Sequence, residues 1–218
     1  MSATEFLPER RDLEGLRRAA AGCKGCALWR EATQTVFGEG PADAPIMLLG
    51  EQPGDQEDRQ GRPFVGPAGR LLDRALESAK ISRDQVYATN SVKHFKWEAR
   101  GKRRIHKTPG QIEIVACQPW FAAELEALGP QILVLLGAVA AKSVFGGSFR
   151  VTRERGGVIE SPAGVPALAT VHPSSVLRAR DADRERAMEE LVRDLRVVQE
   201  WTAARPRRPA GGGRDSDR

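Results

Sequence analysis

The chain has 218 residues, 40% of them hydrophobic and 29% charged, with a formal net charge of +5 and a pI near 9.4. That length suits one soluble domain with a substantial core, and the composition is that of an ordinary globular protein. No apolar run reaches membrane-spanning length, no secretory signal pattern opens the chain, and three cysteines are too few for a disulfide framework, so a reducing cytoplasm is the expected setting.

Residues 10–21 read as an amphipathic helix that stops at Gly22, just before the pair Cys23-Lys24-Gly25-Cys26. The apolar run from Ala44 to Gly50 predicts a buried strand, followed by a polar loop from Glu51 to Asp58. Gly66-Pro67-Ala68-Gly69 opens a helix with Leu71, Leu72, Ala75, Leu76 and Ala79 on one face. Gln85 to Asn90 reads as a second strand. Thr108-Pro109 starts a further helix, whose buried face is expected to hold Ile112, Val115, Ala116 and Trp120 and is interrupted by Pro119. Gln131 to Leu136 and Val165 to Val171 complete a set of four strands, and a long helix from about Asp183 to Trp201 closes the fold. Residues 1–202 therefore form a single domain, and 203–218 are expected to be a disordered basic tail.

Strands alternating with helices predict an α/β fold, three layers with a central, mostly parallel four-stranded sheet. Ligands of such sheets bind beyond the carboxyl ends of the strands. The polar residues Glu51-Gln52, Asn90 and His172-Pro173-Ser174 all follow strand ends, so one composite pocket is expected.

Two features stand apart from the scaffold. Cys23 and Cys26 need partners if they bind a metal; Cys117 supplies one and His94 is the best fourth ligand in the chain. Zinc or an iron–sulfur cluster both suit this set, and the spacing does not choose between them. The second feature is the basic block Lys93 to Lys107, which favours a polyanionic partner. By its surroundings alone, His106 reads as one more member of a phosphate-binding patch.

Four motifs in this order give the chain a resemblance to a known family: Gly50-Glu51-Gln52-Pro53-Gly54-Asp55-Gln56-Glu57-Asp58, Gly61 through Gly69, Thr89-Asn90-Ser91-Val92-Lys93, and Val171-His172-Pro173-Ser174. The chain resembles the iron–sulfur uracil-DNA glycosylases of family four, and within them the X-type, over nearly all of residues 20–200. His94 where the family places a cysteine ligand, Gln52 in place of a small residue, and the extra Lys102-Arg103-Arg104-Ile105-His106 segment are all X-type features. The resemblance implies the uracil-DNA glycosylase fold and a [4Fe-4S] cluster on Cys23, Cys26, His94 and Cys117. It implies uracil contacts from Gln52, Gly54, Asp55, Phe64, Asn90 and His172, and DNA contacts from Lys102, Arg103, Arg104, Lys107 and Ser174. It implies uracil-containing DNA as the partner, single-stranded by preference, bound by a monomer. Last, it implies that His106 bonds covalently to C1′ of the sugar after uracil leaves, with Glu51 and His172 as catalytic partners.

The chemistry suits these residue types. Breaking the glycosidic bond leaves positive charge on the sugar and negative charge on the base. Phe64 is expected to stack on uracil, Asn90 to read N3–H and O4, and His172 to donate to O2 as charge gathers there. Glu51 is expected to orient the imidazole of His106 and take its proton. Three other readings compete: an ordinary turnover glycosylase, a non-catalytic iron–sulfur module that binds single-stranded DNA, and a zinc-stabilised nucleotide-binding domain.

Overall fold

The computed structural model describes residues 1–205. Its frame is a sheet of strands β1 (Ile46–Gly50), β2 (Val86–Asn90), β5 (Ile132–Leu136), β7 (Ala167–Thr170) and β6 (Val158–Ile159), in the order β2-β1-β5-β7-β6. The four expected strands are the parallel ones. The fifth, β6, is a two-residue antiparallel edge strand, too short to leave a periodic signal. β1, β2 and β5 are buried at every position because helices cover both faces of the sheet.

One face carries α3 (Pro67–Ser78), α7 (Pro173–Arg178) and α8 (Asp181–Ala203), which pack Leu71, Leu72, Val176, Leu191 and Leu195 against Leu48 and Val134. The other carries α4 (Gln111–Leu128), α5 (Gly137–Phe145) and the single turn α6 (Val151–Glu154), with Phe121, Ala140 and Phe149 set against Met47, Leu49 and Leu135. A smaller core joins α1 (Leu13–Ala20) to α4 through Leu16, Ala20, Trp120 and Ala123, and it includes Cys23 and Cys117.

Several expectations change in detail. The loop after β1 contains a short helix, α2 (Asp55–Gln60), begun at Gly54 and ended by Gly61 in the left-handed region (φ 71°). On α4, Ala116 and Trp120 are buried as expected, but Ile112 is 86% and Val115 53% exposed; the helix turns these two outward. The basic segment is not an open loop. It is an antiparallel hairpin of β3 (Trp97–Arg100) and β4 (Arg103–His106), a sheet of its own that places His106 opposite Trp97. α8 runs on to Ala203, the first residue of the expected tail, and residues 206–218 of that tail lie outside the described residues. Among the described residues, no helix is long and apolar enough to cross a membrane.

Candidate active site

A cleft of about 490 Å³ opens beyond the carboxyl ends of β1, β2 and β7. Its lining includes Glu51 and Gln52 after β1, Asn90 at the end of β2, His106 from the hairpin, and His172 and Ser174 at the start of α7. A larger groove of about 910 Å³ runs between α3 and α8, away from these strand ends; it is lined by surface charges such as Arg74, Glu185 and Arg193 and holds no histidine, asparagine or aromatic side chain. The cleft, where chemistry-bearing side chains converge, is the candidate site.

Gly50 makes one corner of the cleft possible. A Cβ there would lie 2.3 Å from Asn90 Oδ1 and 2.8 Å from Phe64 Cζ, so amide and ring meet over a bare α-carbon. Phe64 itself sits in the left-handed region at φ 56°. Gly69 lets the first turn of α3 press against that residue, since any Cβ would fall 1.6 Å from the Phe64 carbonyl oxygen. Glu57, from α2, joins the two flanking segments: its carboxylate accepts from Gly54 N–H at 3.1 Å and Gly66 N–H at 2.7 Å.

His172 has a defined tautomer. Its Nδ1 accepts the Ser174 backbone N–H at 3.1 Å and lies 2.8 Å from Ser174 Oγ, which in turn accepts from Arg178 Nη1 at 3.2 Å. The proton of the neutral ring is therefore on Nε2, free to donate. Burial foremost, with the positive charge of Arg178 and the neighbouring His106, pushes the His172 pKa down to about 4, so the ring is neutral near pH 7.

His106 stands at the cleft mouth with 46% of its side chain exposed, and its Nε2 is 3.6 Å from Glu51 Oε1. Desolvation by the cleft walls, then Arg178, holds its pKa below the ordinary histidine value. Glu51 is mostly buried, and Oε1 has no hydrogen-bond partner among the described residues. Burial raises its pKa, against the pull of Arg178 and a hydrogen bond from Thr108.

Other expected site residues have different occupations. The Gln52 amide is taken up by the hairpin base: Nε2 donates to the carbonyls of Lys96 (3.2 Å) and Lys107 (3.0 Å), and Oε1 accepts from Lys96 N–H (3.1 Å). Its side chain thus anchors the hairpin, leaving no free amide donor for a base. Asp55 faces out of the cleft to Arg59 and Arg104, so its carboxylate does not reach a base there. Arg104 is engaged with Asp55 and Asp58 and stacks near Phe95 and Trp97, so it braces the hairpin instead of standing free for phosphate. Lys107 pairs with Glu98 at 3.0 Å on the hairpin surface. Lys102 lies at the exposed hairpin turn and Arg103 beside it on the exposed side of β4. Sequence reasoning missed Glu57, Thr108 and Arg178, all part of the lining.

The three cysteines are free and buried. Cys23 Sγ accepts from Gly25 N–H (3.5 Å) and Trp120 Nε1–H (3.2 Å), and Cys117 Sγ accepts from Lys93 N–H (3.3 Å). Burial raises the pKa of Cys26 and pushes that of Cys117 up to about 12. His94 is buried, with Nε2 3.0 Å from Thr35 Oγ1. Among the described residues, no three His, Cys, Asp or Glu side chains close around one point as a single-ion cage requires.

A three-layer α/β fold thus carries, at its strand ends, a cleft lined by Asn90, Phe64 and the neutral His172. Residues 37–196 match the uracil DNA glycosylase superfamily. The chain is 38% identical over 165 residues to a type-4 uracil-DNA glycosylase of Thermotoga maritima, covering 75% of this chain and 82% of that one. It is 34% identical to a type-4 uracil-DNA glycosylase of Pyrobaculum aerophilum, covering 77% and 85%, and 40% identical to one of Sulfurisphaera tokodaii over 61% and 58%. The chain belongs to the uracil-DNA glycosylase superfamily and is an enzyme of that hydrolase class.

Proposed function

We propose that this enzyme excises uracil from DNA, single-stranded by preference, and then captures the exposed sugar on His106. The observation that carries the capture is the position of His106 Nε2, a ring nitrogen 3.6 Å from Glu51 Oε1 at the mouth of the cleft. Uracil enters with its face on Phe64 and its polar edge on the Asn90 amide. As the C1′–N1 bond breaks, its electron pair leaves with the base, and His172 Nε2–H donates to O2, where the charge gathers. A donor aimed at developing charge is worth roughly 3 kcal/mol.

The Glu51 carboxylate faces the sugar cation and stabilises it. His106 Nε2 then gives its lone pair to C1′, and the resulting imidazolium loses its Nδ1 proton to solvent. Glu51 acts by charge in this scheme, not as the acceptor of a proton from the attacking nitrogen, because a protonated Nε2 has no lone pair to offer. A held nucleophile has an effective molarity of roughly 10⁵ M or more, enough to outrun water.

We further propose that Cys23, Cys26, Cys117 and His94 hold a [4Fe-4S] cluster. Buried sulfurs that already accept N–H bonds suit cluster thiolates, and a cluster bonds each ligand to a different iron, which asks for wider spacing than a one-ion cage. Thr35 on His94 Nε2 leaves Nδ1 for the metal. When bound, the cluster supplies a clamp joining the N-terminal segment, the end of β2 and α4.

The test is a denaturing gel of protein mixed with a uracil-bearing oligonucleotide. A heat-stable shifted band is expected with the unaltered protein and no band with His106→Ser, which should release uracil and an abasic product. Repeated turnover by the unaltered protein, with no band, would establish an ordinary glycosylase; binding without preference for uracil would establish a binding module.

A further inference from the structure

Lys93 and Glu124 form an ion pair in which both side chains are fully buried. An ammonium has three donors, and Lys93 uses all of them: on Thr89 Oγ1 at 2.6 Å, on the Asn90 backbone carbonyl at 2.8 Å, and on Glu124. Glu124 also accepts from Gly38 N–H at 3.1 Å, Tyr87 O–H at 2.9 Å and Thr89 O–H at 3.0 Å. Stability alone does not account for such a pair, because apolar side chains of the same volume commonly hold a core as well or better.

What the pair holds is the end of β2. The Asn90 side-chain amide makes no hydrogen bond to the protein among the described residues, although Asn90 is only 3% exposed. Its aim therefore comes from its backbone. On one side the β1–β2 ladder sets Asn90 opposite Gly50. On the other, the Lys93 ammonium grips the Asn90 carbonyl, while the Lys93 N–H donates to Cys117 Sγ. We propose that Lys93, fixed by Glu124, is a positioning residue for uracil recognition: it pins the Asn90 carbonyl so that the unpartnered amide points into the cleft. The inference rests on the reading of Asn90 as the amide that contacts uracil.

The test is single-turnover release of uracil from a single-stranded oligonucleotide, alongside circular dichroism and the thermal midpoint. Lys93→Met/Glu124→Leu removes both charges together and is compared with Asn90→Ala and with the triple variant. A folded double variant is expected to release uracil at least ten-fold more slowly, with no further slowing when Asn90→Ala is added, because both changes act through one amide. An unaltered rate, or losses that multiply in the triple variant, overturns the inference. If the double variant does not fold, Lys93→Arg takes its place. The guanidinium keeps the charge, but its planar fork does not match the three directions an ammonium serves here; the same ten-fold loss is expected, and an unaltered rate overturns the inference. Absence of uracil release by the unaltered protein, or a fully active Asn90→Ala, would instead sink the underlying reading of the site.

Discussion

Arg104 Nη1 lies 2.6 Å from Asp58 Oδ2, joining the hairpin that carries His106 to the helix α2 beside the cleft. Asp58 is completely buried and also accepts from Thr33 N–H, at 3.0 Å to Oδ1. Breaking one side of such a buried pair typically costs about 3–5 kcal/mol. Arg104→Ala should therefore loosen the hairpin and slow adduct formation, by roughly 10- to 100-fold if a misplacement near 1 Å results. The salt dependence of DNA binding should hardly change, whereas Lys102→Ala or Arg103→Ala should lower its slope by about one. Binding titrations at several salt concentrations, with gel rates in parallel, check both outcomes.

Gly50→Ala places a methyl group where Asn90 Oδ1 and the tip of Phe64 already meet. Either the amide or the ring must move, and both line the cleft proposed to hold uracil. Uracil release is expected to fall by about two orders of magnitude or more, with a destabilisation of roughly 1–3 kcal/mol from overpacking. Single-turnover kinetics and a urea titration measure the two effects separately.

Capture requires a neutral His106, and burial with the Arg178 charge holds its pKa below the ordinary 6.5. The adduct rate should therefore lose half its value only below pH 6.5 as the buffer is acidified. Removing the cation in Arg178→Gln should move the acid limb toward neutrality. A pH–rate series on both proteins would expose the error if the limb stayed where it was.

The same physics makes His172 a stability term. The unfolded chain takes up its proton below pH 6.5, whereas the folded protein resists until about pH 4. Stability attributable to this ring therefore rises with pH across that window and is progressively lost on acidification through it. The full span corresponds to at most roughly 3 kcal/mol. Urea titrations of the unaltered protein and His172→Gln, at pH 7 and pH 4.5, should show the variant losing less on acidification.

Cys117→Ser removes one buried sulfur of the proposed cluster set. Visible absorbance and bound iron should drop sharply, and the thermal midpoint should fall by about 5–10 °C. Colourless unaltered protein, purified without air and iron-free by metal analysis, would reject the cluster.

Much of the frame was legible because β1, β2 and β5 are buried on both faces and so read as unbroken apolar runs. The residues that follow or close β1, β2 and β7, namely Glu51, Asn90 and His172, could be assigned to one pocket from topology alone. The hairpin could not: Trp97 to His106 is dominated by charge and lacks clean alternation, so nothing in its pattern distinguishes a strand pair from a loop. Ile112 and Val115 misled because apolar residues on an exposed helix face look the same in sequence as buried ones. Glu57 was hidden in an acidic run, although its place three residues after Gly54 has capping-box spacing. Arg178 lies one helical turn after Ser174, and that interval was the signal available for it.

Because β3 and β4 pair only with each other among the described residues, the imidazole proposed to capture the sugar rides on an appendage that borrows no ladder from the main sheet. Its attachment is a handful of side-chain fastenings, chiefly the Gln52 amide at the root and the Arg104 fork at the edge. If the proposed capture holds, a lineage could therefore acquire, retune or discard it by editing the hairpin and its few fastenings, while the five strands of the main sheet descend untouched.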